Sequence, residues 1–143
     1  MAYNAEMGSK TAKQEIGALG EEIATKYLQN KGFTVIERNY LKKCGEIDII
    51  AKIGHVLHFV EVKSVSHEII TSSGAYVTRG TDSYRPEDNI HPAKLKRLSR
   101  TIELYLFEKH IECEPEWQFD AITVKLDMST KKASVKFIRD IIL

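Results

Sequence analysis

An α/β fold in the order αβββαβ, with a small further strand at the C-terminus, follows from three features of the 143-residue sequence. Two separated segments carry apolar residues at helical spacing. Three strand-like segments lie close together after the first of them, with glycines between, so hairpin connections are the natural link. One more apolar run follows the second helical segment. A mixed central sheet with flanking helices buries all of these faces at once.

Residues 1–12 are polar and mixed, and are expected to fray. The first helix is read from Lys13 to Asn30, with Ile16, Leu19, Ile23 and Tyr27 as its buried stripe and Ala24 and Leu28 broadening it. Lys31-Gly32 ends it. Phe33 to Glu37, Glu46 to Lys52 and Val56 to Ser64 read as three strands, with Gly45 and Gly54 suited to the turns between them. Ser66 to Pro92 is rich in Ser, Thr, Gly, Asp and Pro and reads as a long loop or insert (residues 66–92) of the kind that often carries function. Pro92 then opens a second helix to about Lys109, with Leu95, Leu98, Ile102, Tyr105 and Leu106 toward the core. Trp117 to Leu126 is the fourth strand and Ala133 to Arg139 a weaker fifth.

The chain length fits one domain over residues 1–143. With 43% hydrophobic and 29% charged residues, it has the balance of an ordinary globular protein. No apolar run approaches the roughly 18–20 residues that cross a bilayer, and the N-terminus lacks a signal-peptide core, so a cytoplasmic protein with no membrane partner is expected. A formal net charge of only +1 leaves any attraction for phosphate to local charge separation. Cys44 and Cys113 have neither zinc-ligand nor disulfide-framework spacing and read as reduced structural thiols. His55, His58, His67, His91 and His110 form no compact zinc motif either.

The chemistry is concentrated in Gly45-Glu46-Ile47-Asp48 and Glu61-Val62-Lys63, which place charges among strand residues. Charge in such surroundings is tolerated when paired, hydrogen-bonded or metal-bound. Simple alternation puts Glu46 and Asp48 on one face of the second strand, and Ile47 and Ile49 on the other. Glu61 and Lys63 likewise share a face of the third strand, opposite Val60 and Val62. If the polar faces coincide, Asp48 and Glu61 converge beside Lys63. Two carboxylates so placed call for a cation or a shared proton. Mg²⁺ suits an all-oxygen site, with Mn²⁺ as its substitute and a backbone carbonyl near Val62 as a further donor. Such an ion polarises phosphoryl oxygens and acidifies bound water, and Lys63 would orient that water or neutralise charge on phosphate. The plainer alternative is a cross-strand salt bridge of Lys63 with one acid.

Glu21 borders the apolar stripe of the first helix, where small Gly17 would let a strand or ligand approach; it reads as a further ligand or an ordinary helix carboxylate. Glu46 and Asp120 are supporting candidates, with turn, surface or structural hydrogen-bonding roles as the alternatives. Lys94, Arg97 and Arg100 would form a basic rim for phosphate, or simply a solvated helix face. Arg79, Arg85 and His91 would approach nucleic acid from the long loop.

These residues resemble the YraN-like family, an uncharacterised bacterial group related to restriction-endonuclease-like and Holliday-junction-resolvase-like nucleases. The resemblance runs from Gly17-Ala18-Leu19-Gly20-Glu21 through Ala24, Tyr27-Leu28, Gly32-Phe33 and Arg38-Asn39. It is strongest at Gly45-Glu46-Ile47-Asp48-Ile49-Ile50 and Phe59-Val60-Glu61-Val62-Lys63, and extends to Lys94, Arg97, Tyr105-Leu106 and Phe119-Asp120. It implies a restriction-endonuclease-like core and an Asp…Glu-x-Lys site. There Asp48 and Glu61 bind a divalent metal, Lys63 assists phosphodiester hydrolysis, and Glu21 is the helix acid. Ser64-Val65-Ser66 and Gln118 stand where the family often has arginine. The expected function is a Mg²⁺-dependent endonuclease for branched or structured DNA, acting as a homodimer by analogy with resolvases. A noncatalytic nucleic-acid-binding protein and a structural or interaction domain are the alternatives.

Overall fold

The computed structural model describes residues 12–67, 92–109, 116–127 and 129–143. They form α1 (Ala12–Asn30), β1 (Thr34–Lys42), β2 (Gly45–Ile53), β3 (Val56–His67), α2 (Pro92–Glu108), β4 (Trp117–Asp127) and β5 (Lys132–Ile138). Most of the expected 66–92 loop, with Arg79, Arg85 and His91, lies outside the described residues, as do His110 and Cys113.

The five strands make one mixed sheet in the order β1-β2-β3-β4-β5. Neighbours are antiparallel except β3 and β4, which run parallel from Leu57↔Trp117 to His67↔Asp127. A parallel pair needs a crossover, and the chain between these strands contains α2. The helices serve separate cores. Ile23, Ala24 and Leu28 of α1 pack with Ile49, Ala51, Val60, Ile122, Val124 and Leu126. Leu98, Ile102 and Tyr105 of α2 pack with Tyr40, Ile47, Ile50, Phe59 and Phe119.

Local signals explain the element ends. After α1, the Phe33 amide donates to the Leu28 carbonyl and the Gly32 amide to that of Gln29, the paired bonds of a Schellman cap. Gly32 adopts φ +95°, a conformation glycine reaches without steric cost. Gly54, at φ +58°, is the first central residue of the two-residue β2–β3 hairpin, where a type II′ turn wants glycine.

β1 is longer than its sequence suggests, reaching Lys42 instead of stopping at Glu37. Pairing decides this: Tyr40↔Ile47, Leu41↔Glu46 and Lys42↔Gly45 extend the hairpin past the polar Arg38-Asn39 step that interrupts the strand signal.

Simple alternation on β2 also needs correcting. Ile47 packs on the α2 side whereas Ile49 packs on the α1 side, so they do not share a face. Opposite this break stands Asn39 in the left-handed conformation, φ 53°, which Asn tolerates better than most residues. Arg38 and Ile49 pair on one side of the break, and Tyr40 and Ile47 on the other. The hairpin therefore exchanges its faces at Asn39 and Asp48. β3 keeps the expected alternation, with Val60 and Val62 toward the α1 core.

Close approach of α1 to β3 falls at Gly20, not at Gly17 as the sequence suggests. A Cβ on Gly17 would meet nothing within 4 Å, whereas one on Gly20 would lie 1.6 Å from Ser64 Oγ and 2.8 Å from Ser64 Cβ. Gly20→Ala should therefore destabilise the protein by about 1–3 kcal/mol despite alanine's better helix propensity. Adding Ser64→Gly should recover part of the loss in a urea-unfolding double-mutant cycle. Strictly additive losses would show that the contact is not the cause.

Candidate functional site

The site lies where β2 and β3 part. Their pairing runs from Ile53↔Val56 to Ile49↔Val60, while β3 continues beside β4 as far as His67. Just beyond the last β2–β3 pair, the Val62 amide donates to Asp48 Oδ2 at 2.8 Å. A side-chain carboxylate takes the role of a strand partner at the mouth of the gap. The face exchange in the hairpin delivers Asp48 to that position.

Asp48 is held in an unfavourable electrostatic setting. Burial pushes its pKa from 3.8 up to about 7, the Val62 hydrogen bond pulls the other way, and Glu21, Glu61 and Glu46 add to the rise. Three of the acids named from sequence, Glu21, Glu61 and Glu46, thus act on the half-buried Asp48. Glu21 comes from α1 and lines an open cleft with Gln14, Gly17, Ala18, Glu22, Arg38 and Asn39. Arg38 Nη1 donates to Glu22 at 2.9 Å on its wall. Glu46 is exposed in the hairpin arm beyond the break.

Glu61 is half-buried and forms an ion pair with Lys94, which enters from the first turn of α2. Lys63, two residues along β3 from Glu61, is exposed. Arg97 and Arg100 are also exposed on α2. The helix is clamped to the β1–β2 hairpin: Thr101 Oγ1 donates to the Arg97 carbonyl at 2.7 Å and contacts Cys44 Sγ at 3.3 Å. A Cβ on Gly45 would come within 2.9 Å of the same hydroxyl. Gly45 is needed here for this contact, and it opens β2 after the Lys43-Cys44 turn.

Asp120 has a different setting. It is fully buried, and its Oδ2 lies 2.5 Å from His58 Nδ1. Its Oδ1 accepts from Gln118 Nε2 and the Asp140 amide, both at 2.8 Å. These bonds tie β3, β4 and the C-terminal tail together. Gln118, in a position where the resemblance leads one to expect arginine, serves this network. Sequence reading found Asp120 but missed its partner His58; a histidine set between the apolar residues Leu57 and Phe59 was the available signal.

Asp48, Glu61 and Glu21 offer oxygen donors of the kind Mg²⁺ or Mn²⁺ takes. Among the described residues, however, no three His, Cys, Asp or Glu side chains form a group ready to hold a metal ion. The donor set fits a hard cation in chemical kind. Glu61 must part from Lys94 to give an ion its full carboxylate.

Residues 20–124 match the model of a family described as Uncharacterised protein family UPF0102. A UPF0102 protein of Clostridium botulinum (strain 657 / Type Ba4) is 34% identical over 127 residues, covering 89% of this chain and 93% of the relative. A UPF0102 protein of Campylobacter jejuni subsp. jejuni (strain 81-176) is 35% identical over 112 residues, covering 78% and 85% respectively.

Proposed function

The chain belongs to the UPF0102 family, and from the chemistry of its acidic gap we propose that it is a metal-dependent endonuclease for branched or structured DNA. The observation that carries this reading is Asp48: a half-buried carboxylate that bonds the Val62 amide where β2 and β3 part and is pressed by three other acids. Such an arrangement disfavours accumulated negative charge and is relieved by a cation. The αβββαβ order supports a restriction-endonuclease-like core. No helix among the described residues is long and apolar enough to cross a membrane, and cytoplasmic residence is part of the proposal.

Asp48 and Glu61 would hold Mg²⁺ or Mn²⁺, with Glu21 as a third acid. When bound, the ion supplies Lewis acidity to a phosphoryl oxygen and lowers the pKa of its water. The Val62 amide fixes one oxygen of Asp48, and the other would serve the ion. Lys63 offsets negative charge developing on the phosphate. Arg97 and Arg100 contact the backbone and position DNA without reading sequence. A homodimer would bring two such gaps to two strands.

A second reading is favoured by the Lys94–Glu61 pair: a protein that binds nucleic acid without cutting it would keep this contact closed. Cleavage of linear, flap and four-way DNA, with and without Mg²⁺ or Mn²⁺, separates the two. Metal-dependent cutting by the wild type is expected, falling at least about a thousandfold in Glu61→Gln and Lys63→Met while both variants remain folded. Activity indifferent to these substitutions would reject the assigned roles. Binding without cutting on every substrate would favour the second reading.

A further inference from the structure

Lys94 is not one of the residues the proposed chemistry requires, yet its ammonium is paired with one that is. It stands in the first turn of α2, while its partner Glu61 belongs to β3. The pair is partly shielded, with the Glu61 side chain 20% exposed and that of Lys94 40%. Partial burial makes the contact stronger than a freely solvated surface pair. Glu61 is also among the acids acting on Asp48, so the lysine meets the same collection of negative charge that a metal would.

One carboxylate cannot serve both partners equally. An ammonium and a divalent ion on the same oxygens repel each other, and each occupies directions the other needs. We propose that Lys94 is the resident counter-cation of the gap and that a divalent ion gains Glu61 by displacing it. This inference rests on the metal reading above. Lys94 is then a positioning residue: it holds Glu61 in the metal-free protein and sets the affinity of the gap for its ion.

A consequence concerns DNA. Once freed, the ammonium stands on the same helix as Arg97 and Arg100, where phosphate is its natural partner. Coupling between two ligands is reciprocal. A phosphate that draws Lys94 from Glu61 strengthens metal binding, and bound metal releases Lys94 to phosphate. Metal loading is thereby favoured when nucleic acid is present.

The test is the Mn²⁺ affinity of the full-length chain, read from the electron paramagnetic resonance signal of free Mn²⁺ at fixed pH and ionic strength. Lys94→Gln should lower Kd roughly three- to tenfold, whereas Lys94→Arg keeps the wild-type value. Arg97→Gln, with the same loss of charge one turn along the helix, should change Kd about twofold or less. Lys94→Ala serves as a second neutral variant, and thermal melting verifies folding. An unchanged or raised Kd in the neutral Lys94 variants overturns the proposal. Equal tightening in Arg97→Gln also overturns it, because net charge alone would then suffice. If Asp48→Ala abolishes Mn²⁺ binding while Lys94 substitutions leave it untouched, only the displacement fails. If neither wild type nor the Lys94 variants bind Mn²⁺, the metal reading fails and the displacement with it.

Discussion

Asp48→Asn is expected to abolish the proposed cleavage and, at neutral to alkaline pH, to make the protein more stable. The native state raises the Asp48 pKa from 3.8 to about 7, chiefly through burial. Below the lower value the acid is protonated in folded and unfolded chains, and its titration costs nothing. Between the two values the unfolded chain loses its proton first, so native stability falls as pH rises. Above about 7 both states are ionised and the full penalty is present. At roughly 1.4 kcal/mol per pKa unit, that penalty is on the order of 4 kcal/mol.

Asparagine keeps a side-chain oxygen for the Val62 amide and removes the charge. The stability difference between Asp48→Asn and wild type should therefore be small near pH 4 and grow toward the full value by pH 8. Urea unfolding across this range measures it, and comparing the two proteins cancels the titration of groups that do not interact with Asp48. Mg²⁺ should raise the stability of the wild type and not of the variant. A pH-independent difference would contradict the electrostatic account of Asp48. Cleavage restored to wild-type level in Asp48→Asn would contradict its place in the reaction.

Asp120→Ala should be among the most destabilising single substitutions, at about 3–5 kcal/mol. His58 is 1% exposed and Asp120 0%, so water does not readily replace the lost carboxylate. Removing it strips a partner from His58, Gln118 and the Asp140 amide together. Buried groups left without partners cost more than a simple hydrogen-bond count suggests. Asp120→Asn, which retains an acceptor oxygen, should recover part of the loss.

The C-terminal tail should report the same lesion locally. The Ile141 amide donates to the Phe119 carbonyl at 2.7 Å, and Ile141 and Leu143 pack against the α2-side core. Amide hydrogen exchange at Asp140 and Ile141 should accelerate more than exchange in the centre of β4. A stability loss below about 1 kcal/mol, with an unaltered tail, would show that the network is dispensable.

The contrast between β2 and β3 shows how far a periodic pattern reaches. On β3, alternation correctly separates Val60 and Val62 from Glu61 and Lys63. On β2 the same rule fails because Asn39, on a neighbouring strand, takes a left-handed conformation opposite Asp48. An asparagine permits that conformation without requiring it. Glycine selection follows the same logic. Gly17 and Gly20 are three residues apart on one helix, and only the position of Ser64 identifies Gly20 as the point of contact.

Element order and the helix stripes were readable in sequence because they follow local spacing, and the acids of the gap could be named as candidates from residue chemistry and family resemblance. Asp48, Glu61 and Glu21 could be named that way, and Glu46 with them. What each acid faces is decided by tertiary structure: Val62 against Asp48, Lys94 against Glu61, His58 against Asp120. These partners are 14, 33 and 62 residues apart along the chain. Their contacts depend on strand register, on where β2 and β3 separate, and on the seating of α2. Periodicity specifies the side of an element on which a charge stands; packing between distant segments specifies the group that meets it.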